Sequence, residues 1–520
     1  MREDGISNDV HTTQSFREVA GTQAPATPGD DAAQARGARA IARFRAFTAK
    51  LAALGESNIN CLLLIAATIA ANLALQWRNM INPDVAFLAW TARQVLGAPV
   101  FGVDIFEINP PLAFMLYSPA AALSPLLGLD LALKLWITAL TALSIACVWN
   151  TADRSLRMGV AGLLAMFITL ALPYGFGQRE SLAFLLCAPY VAGHAERRGW
   201  ATLSGVMAGV GFAIKPYFLI ALVLVFATRR RLRAEEFAIA ATGLLYAATI
   251  LIFFQPYLFD FLPFVIPSYA AVYDKPEGTW WLMGLIAVAV VPLGLAGAPQ
   301  PAARGYFMAT VGFLIAAIIQ NKGFTYHLIA PFGFMTLFQF ARMYNTQTFT
   351  AILASLYLFV SLAFFGKALT DWFLDDGKAA ATIAMLLPEI DASSSFLVLN
   401  FSSFPAFPAA LLTRSDYVGK SFWPIYLAPV LRIKLGQMED DGGKAMRLAL
   451  DQALSELARR PDLVIVPVNP KAVRGHVSRD VLSLLSSNAE YDLFWRNYTL
   501  DKTVGDYQIY RRRASWQDAP

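Results

Sequence analysis

Residues 197–233 read RRGWATLSGVMAGVGFAIKPYFLIALVLVFATRRRLR, an apolar run at 200–228 fenced on both sides by arginine clusters. Basic clusters beside apolar segments stay on the cytoplasmic side of a membrane, so a run with clusters at both ends crosses an even number of times. Lys215 and Pro216 interrupt it near its middle, where the proline ends one helix and starts another. The run is therefore a hairpin. At 1.5 Å per residue its arms are roughly 22 and 18 Å long, both shorter than the roughly 30 Å hydrocarbon core. Its tip, which carries Lys215, lies below the far surface, and a charge on broken helix at that depth is tolerated where it lines a polar cavity.

Composition agrees with this reading. The chain has 520 residues, 57% of them hydrophobic and 15% charged, with a mean hydropathy of +0.48. That leaves too little polar surface for a soluble globule, and the expected class is a polytopic membrane protein. The net charge of +5 is accounted for by arginines in short turns acting as orientation signals, so it does not imply a nucleic-acid partner. Cys61, Cys147 and Cys187 lie inside apolar runs and read as packing residues rather than a disulfide or metal framework.

Working outward from the hairpin, residues 59–77 form the first span, and 111–127, broken by Pro119 and Pro125, lie on or dip into the outer surface. Only one of 111–127 and 131–149 can cross, because the basic turn at 153–157 must stay inside. Residues 158–172 then climb outward and 181–191 return. Past the hairpin, 237–254 go out, 280–296 return, 305–319 go out, the run to Phe340 returns and 349–365 make the last outward crossing. This gives about eleven crossings, counting the two short arms. Residues 1–40 are rich in Ala, Thr, Gln, Asp, Gly and Pro and read as a disordered cytoplasmic tail. At 41–58 apolar residues recur every three or four with Arg43, Arg45 and Lys50 between them, as in an interfacial basic helix. Residues 371–520 read as a small α/β domain outside the membrane, with strands at 395–400, 463–466 and 507–510 and a helix using Met446, Leu450, Leu454 and Leu457. The expected fold is an all-α membrane domain at 59–370 followed by that periplasmic α/β domain.

The first outer loop, 78–130, opens on NMINPDVAFLAWTARQVLGAPVFGVDIFEINPPL at 79–112 and is expected to be a mostly hydrophilic loop. It holds Asp84, Asp104 and Glu107. Carboxylates gathered at a membrane surface suit a site that accepts protons or binds a cation, and a merely solvated loop is the plain alternative. The topology puts Gln178, Arg179 and Glu180, then Lys215, then the turn with Lys322, Tyr326 and His327 on the same outer side. Singly each has a structural explanation: Arg179 can snorkel, Lys215 can bond carbonyls at the break or pair with Glu180, and His327 can be a satisfied histidine. Together, carboxylates offer a base while cations offer a phosphate clamp, the division of labour needed to move a group off a phosphate.

Four stretches, PDVAFLAWTARQVLGAPVFGVDIFEINPPLAFML at 83–116, FGQRESL at 176–182, GVGFAIKPYF at 209–218 and NKGFTYHLIAP at 321–331, carry a resemblance to the GT-C class of membrane glycosyltransferases. The similarity spans roughly residues 59–366 and looks closest to a protein-mannosyltransferase-related branch. It implies an inverting transfer of a monosaccharide from a polyprenyl-phosphate donor to a glycan, lipid or protein acceptor, on the outer side of the cytoplasmic (inner) membrane. Asp84 would be the base, with Asp104 and Glu107 as further catalytic acids. Arg179, Lys215, Lys322 and His327 would hold the donor phosphate, and Asn109, Gln178, Glu180 and Tyr326 would contact substrate. This chain has Asn82, Pro83 and Asp84 where some relatives carry adjacent acids, so no metal is assigned and a divalent cation stays open. A transporter or flippase of lipid-linked sugars would place its charges near the midplane of repeated halves, and no repeat is visible. A non-catalytic lipid-sugar binding protein would have the cavity without needing Asp84.

Overall fold

A computed structural model describes residues 50–77, 79–97, 104–107, 109–170, 175–193, 196–229, 231–262, 301–320, 325–345, 379–400, 403–421, 442–468 and 488–515, with a few isolated positions besides. Residues 1–49 form a unit of their own, of which the described positions between 39 and 49 are helical and exposed. The tail expected at 1–40 lies outside the described residues apart from Arg39.

The membrane part is built from helices α1 (Asn58–Gln76), α2 (Pro83–Val95), α3 (Leu112–Met115), α4 (Ser118–Leu127), α5 (Leu129–Thr151), α6 (Arg157–Leu170), α7 (Arg179–Ala192), α8 (Arg198–Ala213), α9 (Leu219–Ala227), α10 (Ala234–Phe253), α11 (Pro301–Gln320) and α12 (Ile329–Asn345). Four of them, α1, α5, α10 and α11, are long and apolar enough to cross a membrane. The other described helices are shorter, and the expected crossings at 280–296 and 349–365 lie outside the described residues. The Pro-broken run at 111–127 forms the two short helices α3 and α4, and α4 packs along α5.

The hairpin has its break where the sequence places it. Lys215 is extended (φ −135°, ψ 137°) between the end of α8 and a 3₁₀ turn at Pro216–Phe218 that leads into α9. Small residues let α8 lie close on α10: a Cβ on Gly205 would stand 2.4 Å from the Glu235 carbonyl, and one on Gly209 2.8 Å from Thr242 Cβ. Such close backbone approach is how helices associate where lipid supplies no hydrophobic drive. At the basic end the guanidinium of Arg229 lies 3.9 Å from the Tyr190 ring, donates to the Tyr190 carbonyl and stands 3.6 Å from Glu236. Rings of Phe184, Phe334, Phe313 and Phe218, with centroids 4.9 to 5.5 Å apart, fill the space between α7, α11, α12 and the hairpin.

Beyond residue 390 lie β1 (Ser395–Val398), α13 (Ala406–Leu412), β2 (Asp416–Tyr417), α14 (Lys444–Leu457), β3 (Leu463–Pro467), α15 (Ala489–Trp495), β4 (Tyr498–Val504) and β5 (Tyr507–Arg512). The strands form one sheet in the order β2-β1-β3-β5-β4, with β1 parallel to β2 and β3, and β5 antiparallel to β3 and β4. Every residue of the central β3, LVIVP, is buried, as expected of a strand covered on both faces.

One expectation is corrected here. Residues 79–112 are not a mostly hydrophilic loop, because α2 takes up 83–95 and residues 85–92 of that helix are buried. Asn82 caps it by accepting from Asp84 N (2.9 Å), and Pro83 sits at its first position, where a missing N–H costs nothing. The C-terminal domain covers its aromatic face: the Phe407 ring lies 4.8 Å from Phe87 and 5.7 Å from Trp90, and Tyr417 lies 5.6 Å from Trp90. Phe106 N also donates to the Lys420 carbonyl (2.7 Å) in a strand-like bridge. Replacing Phe407 by Leu keeps most of the volume but loses these ring pairs. We expect a cost of about 1–2 kcal/mol, read as a lower melting temperature with faster amide exchange along α2. Unchanged exchange in α2 would mean that the C-terminal domain does not hold it.

Candidate active site

Six chain segments come together at one place: the chain at Glu107 and Asn109, the N-termini of α2 and α7, the hairpin tip, the C-terminus of α11 and the 3₁₀ turn Thr325–Leu328. Their side chains meet there. Gln178 Nε2 donates to Asn82 Oδ1 (2.9 Å), which joins α7 to the cap of α2. Lys215 Nζ donates to Glu180 Oε1 (2.5 Å) and Gln320 Oε1 (2.9 Å), joining the hairpin tip to α7 and α11. His327 Nε2 stands 3.6 Å from the same Glu180 oxygen. Arg179 donates through Nη1 to Asn109 Oδ1, and Glu107 Oε1 accepts from Asn109 N (2.6 Å) and Nδ2 (2.5 Å). Tyr117 fixes the approach to α7 by donating to the Gly177 carbonyl (2.6 Å), where Gly177 has φ +75°.

Asp84 stands among these groups, half-buried, on the first turn of α2. Burial pushes its carboxyl above the usual range; the Arg179 guanidinium opposes this, Glu180 adds to it, and a hydrogen bond from Tyr326 pulls the other way. Glu107 is buried and also raised, chiefly by desolvation, against the pull of the Asn109 N–H groups and Arg179. The Asp84 charge adds a little to the rise at Glu107, and the Arg179 guanidinium opposes the rise at both acids.

Several polar atoms here have no hydrogen-bond partner among the described residues: Glu180 Oε2, Arg179 Nε, Gln178 Oε1 and Asn82 Nδ2, all buried. A buried polar atom left unpaired costs about 1–3 kcal/mol, so four around one carboxylate mark a place that a ligand or waters complete.

The structure does not bring every expected site residue here. Asp104 turns toward α14 instead, 3.5 Å from Arg459, with both side chains more than a third exposed. Lys322 lies outside the described residues. Lys215 is engaged by Glu180 and Gln320, which leaves Arg179 as the cation shared by Asp84 and Glu107. Gln320 is a site residue the sequence reading passed over; its signal was a lone amide closing an apolar helix. Among the described residues no group of three His, Cys, Asp or Glu side chains is placed to hold a metal ion. No step below is routed through a metal. No protein family, curated protein or solved structure matches the chain.

Proposed function

We propose that this chain is a membrane glycosyltransferase that moves a monosaccharide from a polyprenyl-phosphate donor to a hydroxyl acceptor with inversion. The carrying observation is Asp84: a carboxylate with raised basicity, held on a buried helix beside a guanidinium and ringed by unpartnered polar atoms. In the reaction, the acceptor oxygen attacks the anomeric carbon as its proton passes to Asp84. The bond from that carbon to the phosphate oxygen breaks, its electron pair stays on the departing polyprenyl phosphate, and Arg179 stabilises the charge that builds there. A phosphate leaving group needs charge stabilisation rather than a proton, so one base with one guanidinium suffices. His327 and Tyr326, beside Asp84 and Glu180, are placed to contact the donor, and Glu107 with Asn109 orients Arg179.

The test is incubation of the purified protein with radiolabelled polyprenyl-phosphate sugars and envelope glycan, lipid or protein acceptors. Transfer with release of polyprenyl phosphate supports the reading. Binding without turnover would make the chain a lipid-sugar binding protein, and movement of intact donor across sealed vesicles would make it a transporter. The reading also fixes sidedness: the Asp84 end faces the periplasm and the arginine turns face the cytoplasm. A reporter fused after Arg233 is expected to read cytoplasmic and one after Asp371 periplasmic. A cytoplasmic reading at Asp371 sinks it.

A further inference from the structure

At the other end of α1, which at 19 residues is about 28 Å long, a cavity of about 670 Å³ opens where α1, α5, α6 and α8 end. It lies on the side away from Asp84 and has no part in the chemistry above. Two features shape it. The N-termini of α1, α6 and α8 all open at its rim, and Glu56, Asp153 and Glu196, a few residues before those helices, sit where helix dipoles favour acids. Arg154, Arg157 and Arg197 occupy the same rim, where the same dipoles disfavour cations.

Opposite charges this close on one rim would normally pair, yet among the described residues no ion pair within 4 Å joins any of these arginines to any of these acids. Arg157 instead donates to the Gly55 carbonyl and lies 5.1 Å from the Trp149 ring centroid. Trp149 itself is 2% exposed, and its indole Nε1 has no hydrogen-bond partner among the described residues. With Trp200 it gives the cavity an aromatic wall of the kind found at the membrane–water boundary.

We infer that this cavity binds the headgroup of an amine-bearing phospholipid, phosphate toward the arginines and ammonium toward the carboxylates. A ligand with both signs satisfies a rim that keeps both signs apart. A purely anionic headgroup would face Glu56, Asp153 and Glu196 uncompensated, and the size suits a headgroup with its glycerol.

The experiment uses delipidated full-length protein in detergent, titrated with short-chain phosphatidylethanolamine, phosphatidylcholine and phosphatidylglycerol, with melting temperature and native mass spectrometry as readouts. Phosphatidylethanolamine is expected to bind about tenfold more tightly than phosphatidylglycerol. Phosphatidylcholine, whose methylated ammonium cannot donate hydrogen bonds, is expected to fall between. Arg197→Gln should weaken all three, whereas Glu196→Gln should remove only the preference for the amine. Both residues are exposed, so neither change should unfold the protein. Equal binding of the three lipids, tighter binding of phosphatidylglycerol, or a preference that survives Glu196→Gln overturns the proposal. Glycerophosphoethanolamine binding as tightly as the lipid would overturn the lipid source in favour of a soluble phosphate ester.

Discussion

Asp84→Asn is expected to lower turnover about 10²- to 10⁴-fold while leaving donor affinity and fold in place, the range that loss of a positioned general base covers. Asparagine has nearly the shape of aspartate, and the cap of α2 comes from Asn82, so the helix keeps its start. Arg179, the proposed phosphate contact, is untouched. The pH dependence has a definite sign. A base works when deprotonated, and burial raises the Asp84 carboxyl, so the rate of the native enzyme should rise with pH along a limb displaced above the ordinary carboxylate range. That limb should vanish from the residual activity of Asp84→Asn. Asp104→Asn is the control: its carboxylate faces Arg459 in the C-terminal domain, so turnover should stay near that of the native protein. Initial rates and donor-binding isotherms for both variants decide it. If Asp84→Asn turns over normally while Asp104→Asn or Glu107→Gln is dead, the base has been misassigned.

Much of this was legible in the chain because membrane burial writes large signals. Apolar runs gave the long helices, and the paired arginine clusters with Lys215–Pro216 between them gave the hairpin and its break. What the sequence reading missed was decided by tertiary contact. Helix α2 passed as loop because its aromatic and apolar residues, Val85, Phe87, Leu88 and Trp90, sit among polar and Gly/Pro punctuation. The surface that buries them, Phe407 and Tyr417, arrives some 320 residues later. Asp104 was grouped with Glu107 because they share one loop and a stretch that carries the family resemblance, but the chain carries Asp104 to Arg459 and Glu107 to Asn109. In the C-terminal domain β1 and β3 are continuous apolar runs, β5 alternates and α14 follows a 3.6-residue apolar period, while β4 escaped notice because most of YTLDKTV is exposed. Spacing along a chain says which side chains share a face, not which partner that face meets.

The pairing of Lys215 with Glu180 bears most on how the site around Asp84 is held together. Both side chains are almost wholly buried, at 7% and 1% exposure, with Nζ 2.5 Å from Oε1. Taken alone, each charge would be costly at that depth; together with Gln320 Oε1 at 2.9 Å the ammonium is largely satisfied. The carboxylate is not, since Oε2 has no partner among the described residues and His327 is 3.6 Å from Oε1. Lys215→Met therefore strands a buried carboxylate rather than deleting a spare cation. The expected cost is about 3–5 kcal/mol, seen as a fall in melting temperature, with polyprenyl-phosphate affinity retained by the molecules that stay folded. Removing both charges in Lys215→Met with Glu180→Gln should recover most of that loss, because neither partner is then left alone. The opposite pattern, an unchanged melting temperature with weakened polyprenyl-phosphate binding in Lys215→Met, would move Lys215 from a strut between α7 and the hairpin tip to a direct contact of the donor phosphate. Melting temperature and lipid affinity measured on the single and double variants separate the two roles, because only a strut is rescued by neutralising its partner.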